Sequence, residues 1–311
     1  MSDMFHPRLC WRNAHLQTIT RGLLKISPKI PWHRVHLQTD HGDYLSLDSL
    51  TPVGPIQARL LVLHGLTGCS GASPIAELAL ELAQHGVETW ALNLRGADRV
   101  RPTVPRLYHA GCTDDLEAVF RQLPQDLPWR FVGFSLGANL LLKWLGEEGG
   151  KRIPGARAMA VSCPYDLAQC SANLEKTWIT RCYRFVLVER LKTIVRDFLK
   201  GHPGTLDPAS LRECRTFFDF DENITAPLHG FAGAHDYWAR NSSAQFLKDI
   251  EVNTVLLHSY DDPFQPDPPR SVQNDNLSWE VHSHGGHLGF HQHWSEDWLL
   301  RRLVKFSVES A

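Results

Sequence analysis

Ser135 lies between Gly133 and Gly137 in the stretch FVGFSLGANLLLKW, residues 131–144. A serine hydroxyl is a weak nucleophile until a base removes its proton, so chemistry at Ser135 requires a histidine, itself oriented by an acid. The surroundings suit that chemistry. A strand-like run, RFVGF, leads in and a helix-like run leads out, the strand–turn–helix setting of a nucleophile elbow. So tight a turn leaves no room for a Cβ on either side, and it holds the serine in a strained backbone conformation. The helix that follows aims backbone N–H groups at negative charge developing on a substrate.

The partners are expected downstream, acid before histidine. NTVLLHSYDDPFQP (253–266) ends a strand-like run with Asp261 and Asp262. Asp262 opens a turn stiffened by Pro263 and Pro266 and is the preferred acid, with Asp261 expected to bond the local backbone. WEVHSHGGHLGFH (279–291) ends another run and offers His282, His284 and His287. Gly285 and Gly286 let the loop turn sharply and present His287, which is therefore the preferred base. The remaining need is a pair of donors for an oxyanion. LLVLHGLTG (60–68) carries Gly65 after a strand, and the backbone N–H groups of Leu66 and Leu136 are the expected donors. His64 reads as a residue that shapes this loop.

Elements able to position these groups recur along the chain. RVHLQT (34–39) and YLSLDSL (44–50) alternate in polarity and suit exposed, antiparallel edge strands. ARLLVLH (58–64), VETWALNL (87–94), RFVGF (130–134), ARAMAVS (156–162) and NTVLLHS (253–259) are nearly continuous apolar runs, as parallel strands buried on both faces require. LSWEVHS (277–283) adds a final strand. Helix-like stretches intervene, such as SPIAELALELAQHG (73–86), bounded by Ser73-Pro74 and Gly86, and TDDLEAVFRQL (113–123), with two acids in its first turn. The pattern implies a mostly parallel, doubly wound α/β sheet with right-handed crossovers. Residues 165–250 break it with helix-rich sequence. Two pieces of core, 1–164 and 251–311, are thus expected to enclose a helical cap. Its amphipathic stretch 178–200 places Leu187, Leu191, Ile194 and Phe198 on one face. That face suits packing on the core, while its basic residues also suit transient contact with a membrane surface.

Composition narrows the roles. The 311 residues carry 32 Lys+Arg against 34 Asp+Glu, a formal charge of −2 that offers no footprint for nucleic acid. The N-terminus lacks a basic start and an apolar h-region, and no apolar run is long enough to span a bilayer. Seven cysteines without C-x-x-C spacing fit free thiols in a reducing compartment, so a cytoplasmic location is expected.

The sequence resembles the YheT-like family of α/β-hydrolases. The resemblance rests on N-A-H-L-Q-T (13–18), L-H-G-L-T-G (63–68), L-Y-H-A-G (107–111), G-F-S-L-G (133–137), P-L-H-G-F (227–231), D-D-P-F (261–264) and H-G-G-H-L-G-F (284–290), and so covers nearly the whole chain. It implies an α/β-hydrolase fold with a helical cap, no cofactor, and a triad at Ser135, Asp262 and His287 acting on small-molecule or lipid esters. One loop departs from the family pattern: R-G-A-D-R (95–99) stands where R-G-C-S-G is usual, near the expected site entrance. Asn13, His15 and Gln17 suggest docking of the N-terminal segment. The leading expectation is a serine hydrolase that cleaves carboxylic esters through an acyl-enzyme. Two alternatives are a non-catalytic binding protein of the same fold and a metal-dependent hydrolase using His282, His284, His287, His291 and His293.

Overall fold

A computed structural model describes residues 5–21, 27–147, 153–265, 267–293 and 296–309. The strands are β1 (His33–Gln38), β2 (Tyr44–Leu50), β3 (Ala58–Leu63), β4 (Val87–Leu92), β5 (Trp129–Phe134), β6 (Arg157–Val161), β7 (Asn253–Ser259), β8 (Leu277–His282), β9 (His291–His293) and β10 (Glu296–Asp297). The first eight form one sheet in the order β1-β2-β4-β3-β5-β6-β7-β8. β1, β2 and β4 pair antiparallel, and every pair from β4 to β8 is parallel.

The helices follow the alternation read in the sequence: α1 (Ala14–Ile19), α2 (Ser73–Gln84), α3 (Thr113–Phe120), α4 (Leu136–Gly146), then α5 (Leu167–Asn173), α6 (Trp178–Gly201), α7 (Pro208–Glu213), α8 (Phe217–Phe220), α9 (Ala226–His229) and α10 (Ala234–Asn241) between β6 and β7, and finally α11 (Trp298–Val308). Side chains alternate across β3 and β5, so both sheet faces are buried. Leu61, Leu63 and Phe131 pack with α3 and α4 residues on one face. Leu60, Val62, Val132 and Phe134 pack with Ile75, Leu78, Trp298 and Leu303 from α2 and α11 on the other.

Two details correct the sequence reading. β2 is not an exposed edge: it lies between β1 and β4, and five of its seven residues are buried. Its buried Asp48 receives the Arg34 guanidinium, the Ser70 hydroxyl and the Asn93 amide, which explains a polar residue inside the sheet. The 95–99 loop is not part of the cavity wall. Arg95 is buried in a double ion pair with Asp43 and Asp115, Asp98 holds Arg34, and none of residues 95–99 lines the cavity described below.

The residues between β6 and β7 contain helices and turns but no strand among those described. The amphipathic α6 starts on a reciprocal cap, in which Thr177 Oγ1 accepts from the Thr180 N–H and Thr180 Oγ1 accepts from the Thr177 N–H. Its inner face, Leu191, Val195 and Phe198, packs with Leu107, Leu211, Phe220 and Ile224. Trp178 and Phe185 on its outer face are 74% and 61% exposed. No helix of the described residues is long and apolar enough to cross a membrane.

Candidate active site

Ser135 sits between β5 and α4 with φ +50° and ψ −117°, a conformation sparsely populated by side-chain-bearing residues. Its N–H donates to the Val161 carbonyl of the neighbouring strand at 2.9 Å, which fixes the turn. The flanking glycines are required by close approach. A Cβ on Gly133 would come within 2.6 Å of the Ala138 Cα, and one on Gly137 within 2.5 Å of the Leu63 and His64 carbonyl oxygens.

The structure brings together the three residues singled out in the sequence. Ser135 Oγ lies 2.8 Å from His287 Nε2, and His287 Nδ1 lies 2.9 Å from Asp262 Oδ2. Asp262 is fully buried, and its other oxygen accepts the Phe264 N–H at 2.8 Å, so the carboxylate is fixed in direction. Phe264 stacks on the His287 ring, with centroids 4.2 Å apart. Such an arrangement can pass a proton from a hydroxyl to an imidazole whose other nitrogen is held by an acid.

Asp261 does bond the backbone, though not locally: it accepts the Gly286 N–H at 2.8 Å, across 25 positions. It therefore holds the loop that carries His287. The other histidines of this region point to separate partners. His282 lies 3.5 Å from Glu280, His284 lies 3.5 Å from Asp261, and His291 is buried against Trp11. Among the described residues, no group of three or more His, Cys, Asp and Glu side chains is arranged to hold a metal ion.

Gly65 packs against the serine, since a Cβ there would lie 3.2 Å from Ser135 Cβ. The N–H groups of Leu66 and Leu136 have no hydrogen-bond acceptor among the described residues, and both residues line the cavity beside Ser135. His64 is buried between two backbone groups: the Leu94 N–H donates to its Nε2 at 3.0 Å, and its Nδ1 therefore donates to the Gly65 carbonyl at 2.7 Å. Burial lowers it to about 4, so it stays neutral and shapes the loop.

The N-x-H-L-Q-T segment has a physical role that the sequence left open. Asn13 caps α1 by accepting the Leu16 N–H. Gln17, fully buried, donates to the Trp11 and His291 carbonyls and accepts the His291 N–H at 2.8 Å. Thr18 Oγ1 accepts the His287 N–H at 2.9 Å. Gly286 and Gly289 pack so closely on α1 that a Cβ on either would come within 2.6 Å of its backbone. His15 reaches α6, with Nδ1 3.0 Å from the Tyr183 hydroxyl. Thr18 and Tyr183 were not singled out in the sequence. Thr18 ends a conspicuous motif, but Tyr183 carries no local signal.

Ser135, His287, Gly65 and Leu66 open on a cavity of about 580 Å³, walled mostly by apolar side chains. α5, α6 and the helices that follow contribute Leu167, Leu174, Tyr183, Leu187, Phe217 and Trp238. A cavity of this size and character suits an apolar ligand with a few fixed polar contacts.

A family model described as alpha/beta hydrolase fold matches residues 58–293. The chain is 34% identical to YheT of Escherichia coli (strain K12), over 97% of this chain and 94% of that protein. It is 27% identical to Phospholipase ABHD3 of Homo sapiens, over 99% and 80%, and 32% identical to Monoacylglycerol lipase of Saccharomyces cerevisiae, over 79% and 58%. The Pyrococcus furiosus esterase Pf2001 shares the fold, with a TM-score of 0.56 at 17% identity over 92% of this chain and 96% of that one. Since the family pattern spans most of the chain and YheT matches nearly all of it, the chain belongs to the YheT-like α/β-hydrolases, a family of esterase- and lipase-like enzymes.

Proposed function

We propose that the protein is a serine hydrolase that cleaves carboxylic esters through an acyl-enzyme. In this reading, Ser135 Oγ attacks the ester carbonyl as His287 Nε2 takes its proton, and Asp262 orients the ring and stabilises the imidazolium while remaining ionised. The amides of Leu66 and Leu136 hold the oxyanion. His287 then protonates the departing alcohol, and a water molecule deprotonated by His287 releases the acid and restores Ser135.

The observation that carries the reading is the unbroken chain Asp262–His287–Ser135, with 2.9 and 2.8 Å links, ending in an apolar cavity. Relatives named for esterase, phospholipase and monoacylglycerol lipase support the same chemistry. We take residues 165–250 as the cap over a core formed by 1–164 and 251–311, because α5, α6, α8 and α10 wall the cavity. The exposed Trp178 and Phe185 on α6 support transient contact of that cap with lipid. Seven cysteines, none in a disulfide, support a cytoplasmic setting.

The test is reaction with a fluorophosphonate probe followed by peptide mass spectrometry. An adduct on Ser135, absent in Ser135→Ala, is expected. A folded protein that gives no adduct and cleaves no ester of short or long acyl chain would instead be a binding protein built on this fold.

A further inference from the structure

The cavity wall is mostly apolar, and three of its polar residues, Tyr108, Tyr237 and Asp221, are not used by the proposed acyl-transfer steps. The Tyr108 hydroxyl accepts the Thr67 N–H at 2.9 Å, and the Tyr237 hydroxyl accepts the Ala110 N–H at 2.9 Å. Each hydroxyl still has its own proton to donate, and neither proton has an acceptor among the described residues. Both rings are at least nine-tenths buried and line the cavity. Asp221 lines it too. One of its oxygens accepts from Thr225 Oγ1 and the other from Trp238 Nε1, both at 2.7 Å, which leaves about half of a carboxylate's acceptor capacity open.

We propose that Tyr108, Tyr237 and Asp221 form a subsite for a hydroxylated alcohol moiety, a glycerol-like vicinal diol carried by the ester. The proposal rests on the ester-hydrolase reading of the same cavity and specifies its substrate. A diol hydroxyl both donates and accepts. It can give its proton to the carboxylate and receive one from a tyrosine, so it matches a wall that offers two donors and an acceptor. A cationic head group would satisfy Asp221 but has no lone pair for either tyrosine. A simple alkyl alcohol or an acyl chain would leave the two hydroxyl protons and the open lone pairs of Asp221 without partners in a mostly apolar wall, the situation in which a site built for hydroxyls discriminates most strongly. Placement agrees with this role, because Thr67, the residue held by Tyr108, follows Leu66 of the proposed oxyanion loop. Burial raises the Asp221 carboxyl to about 6, so at neutral pH it is mostly the charged, stronger acceptor.

The experiment compares kcat/KM for 1-glyceryl octanoate and ethyl octanoate, in wild type and in Asp221→Asn, Tyr108→Phe and Tyr237→Phe. Wild type is expected to prefer the glyceryl ester at least tenfold. The ratio should fall tenfold or more in Asp221→Asn and severalfold in each Phe variant. The ratio, unlike either rate, is insensitive to a general loss of activity or folded fraction. A wild-type ratio near one, or a ratio unchanged by all three substitutions, overturns the subsite.

Calorimetric binding to the Ser135→Ala protein separates the two readings. There, 1-O-octylglycerol should bind at least tenfold more tightly than ethyl octyl ether, and Asp221→Asn should abolish the difference. Diol selectivity without Ser135 labelling or ester turnover would leave the subsite standing and remove the hydrolase reading. Ser135 labelling without diol selectivity would do the reverse.

Discussion

The Thr18 hydroxyl accepts the backbone N–H of His287 at 2.9 Å, which ties α1 to a loop 269 positions further along the chain. That loop needs a tie. Gly285, Gly286, Leu288 and Phe290 all have positive φ, a costly conformation for the two residues with side chains. If α1 holds His287 in register with Ser135, Thr18→Val should slow fluorophosphonate labelling of Ser135 about tenfold, since an unpaired buried N–H costs about 1–3 kcal/mol. Thr18→Ser should restore the rate. A Thr18→Val protein that melts below wild type yet labels at the wild-type rate in its folded fraction would show that the contact is only structural.

Much of this site was legible from the chain because its signals are local. A glycine on each side of Ser135, the Asp262 turn and Gly285-Gly286 before His287 each announce a backbone constraint within a few residues. The parallel strands announced themselves by continuous apolar runs. What was not legible depends on pairing between distant segments. β2 alternates like an exposed edge, yet it is buried because Arg34, Ser70 and Asn93 satisfy Asp48 from three other places in the chain. The 95–99 loop is expected near the site entrance from its departure from the family pattern, whereas Arg95 is committed to Asp43 and Asp115 and the loop does not line the cavity. Asp221 has no motif around it, and its place in the cavity wall shows only in the fold, where Thr225 and Trp238 of α10 hold its carboxylate.

Ser135 should carry a measurable stability cost. At φ +50° a glycine is relaxed and a serine is not, so Ser135→Gly should stabilise the fold by about 1 kcal/mol. Ser135→Ala keeps the Cβ and should gain little. Both should lose ester hydrolysis by about 10⁴-fold or more if Ser135 is the nucleophile. Thermal melts of the three proteins decide the first point: equal midpoints for Ser135→Gly and wild type would mean that the elbow stores no strain.

Gly137→Ala tests the closeness of the elbow to β3. The new methyl would sit 2.5 Å from both the Leu63 and His64 carbonyl oxygens, and these are backbone atoms that cannot swing aside. Relief requires α4 to move away from the end of β3, which separates Leu136 from Leu66. We expect destabilisation of about 1–3 kcal/mol in denaturant titration and loss of Ser135 labelling even in the folded fraction. Wild-type labelling would place the two amides outside the reaction.

Buried histidines should make the fold acid-sensitive. Burial lowers His64 and His229 to about 4 and holds His109 well below its ordinary value. The unfolded chain binds these protons near pH 6.5 and the folded chain does not. Stability from the three groups is therefore complete above pH 6.5 and is lost as pH falls toward 4, at up to about 1.4 kcal/mol per pH unit for each group. Asp221 has the opposite sign, because its raised carboxyl favours the fold as pH drops through 6, but it offsets only one proton. The melting midpoint should accordingly fall between pH 7.5 and 5. His229→Phe, which keeps a ring against His109 but cannot take a proton, should flatten that slope. A midpoint constant across this range in wild type would mean that the three imidazoles reach their protons within the folded state.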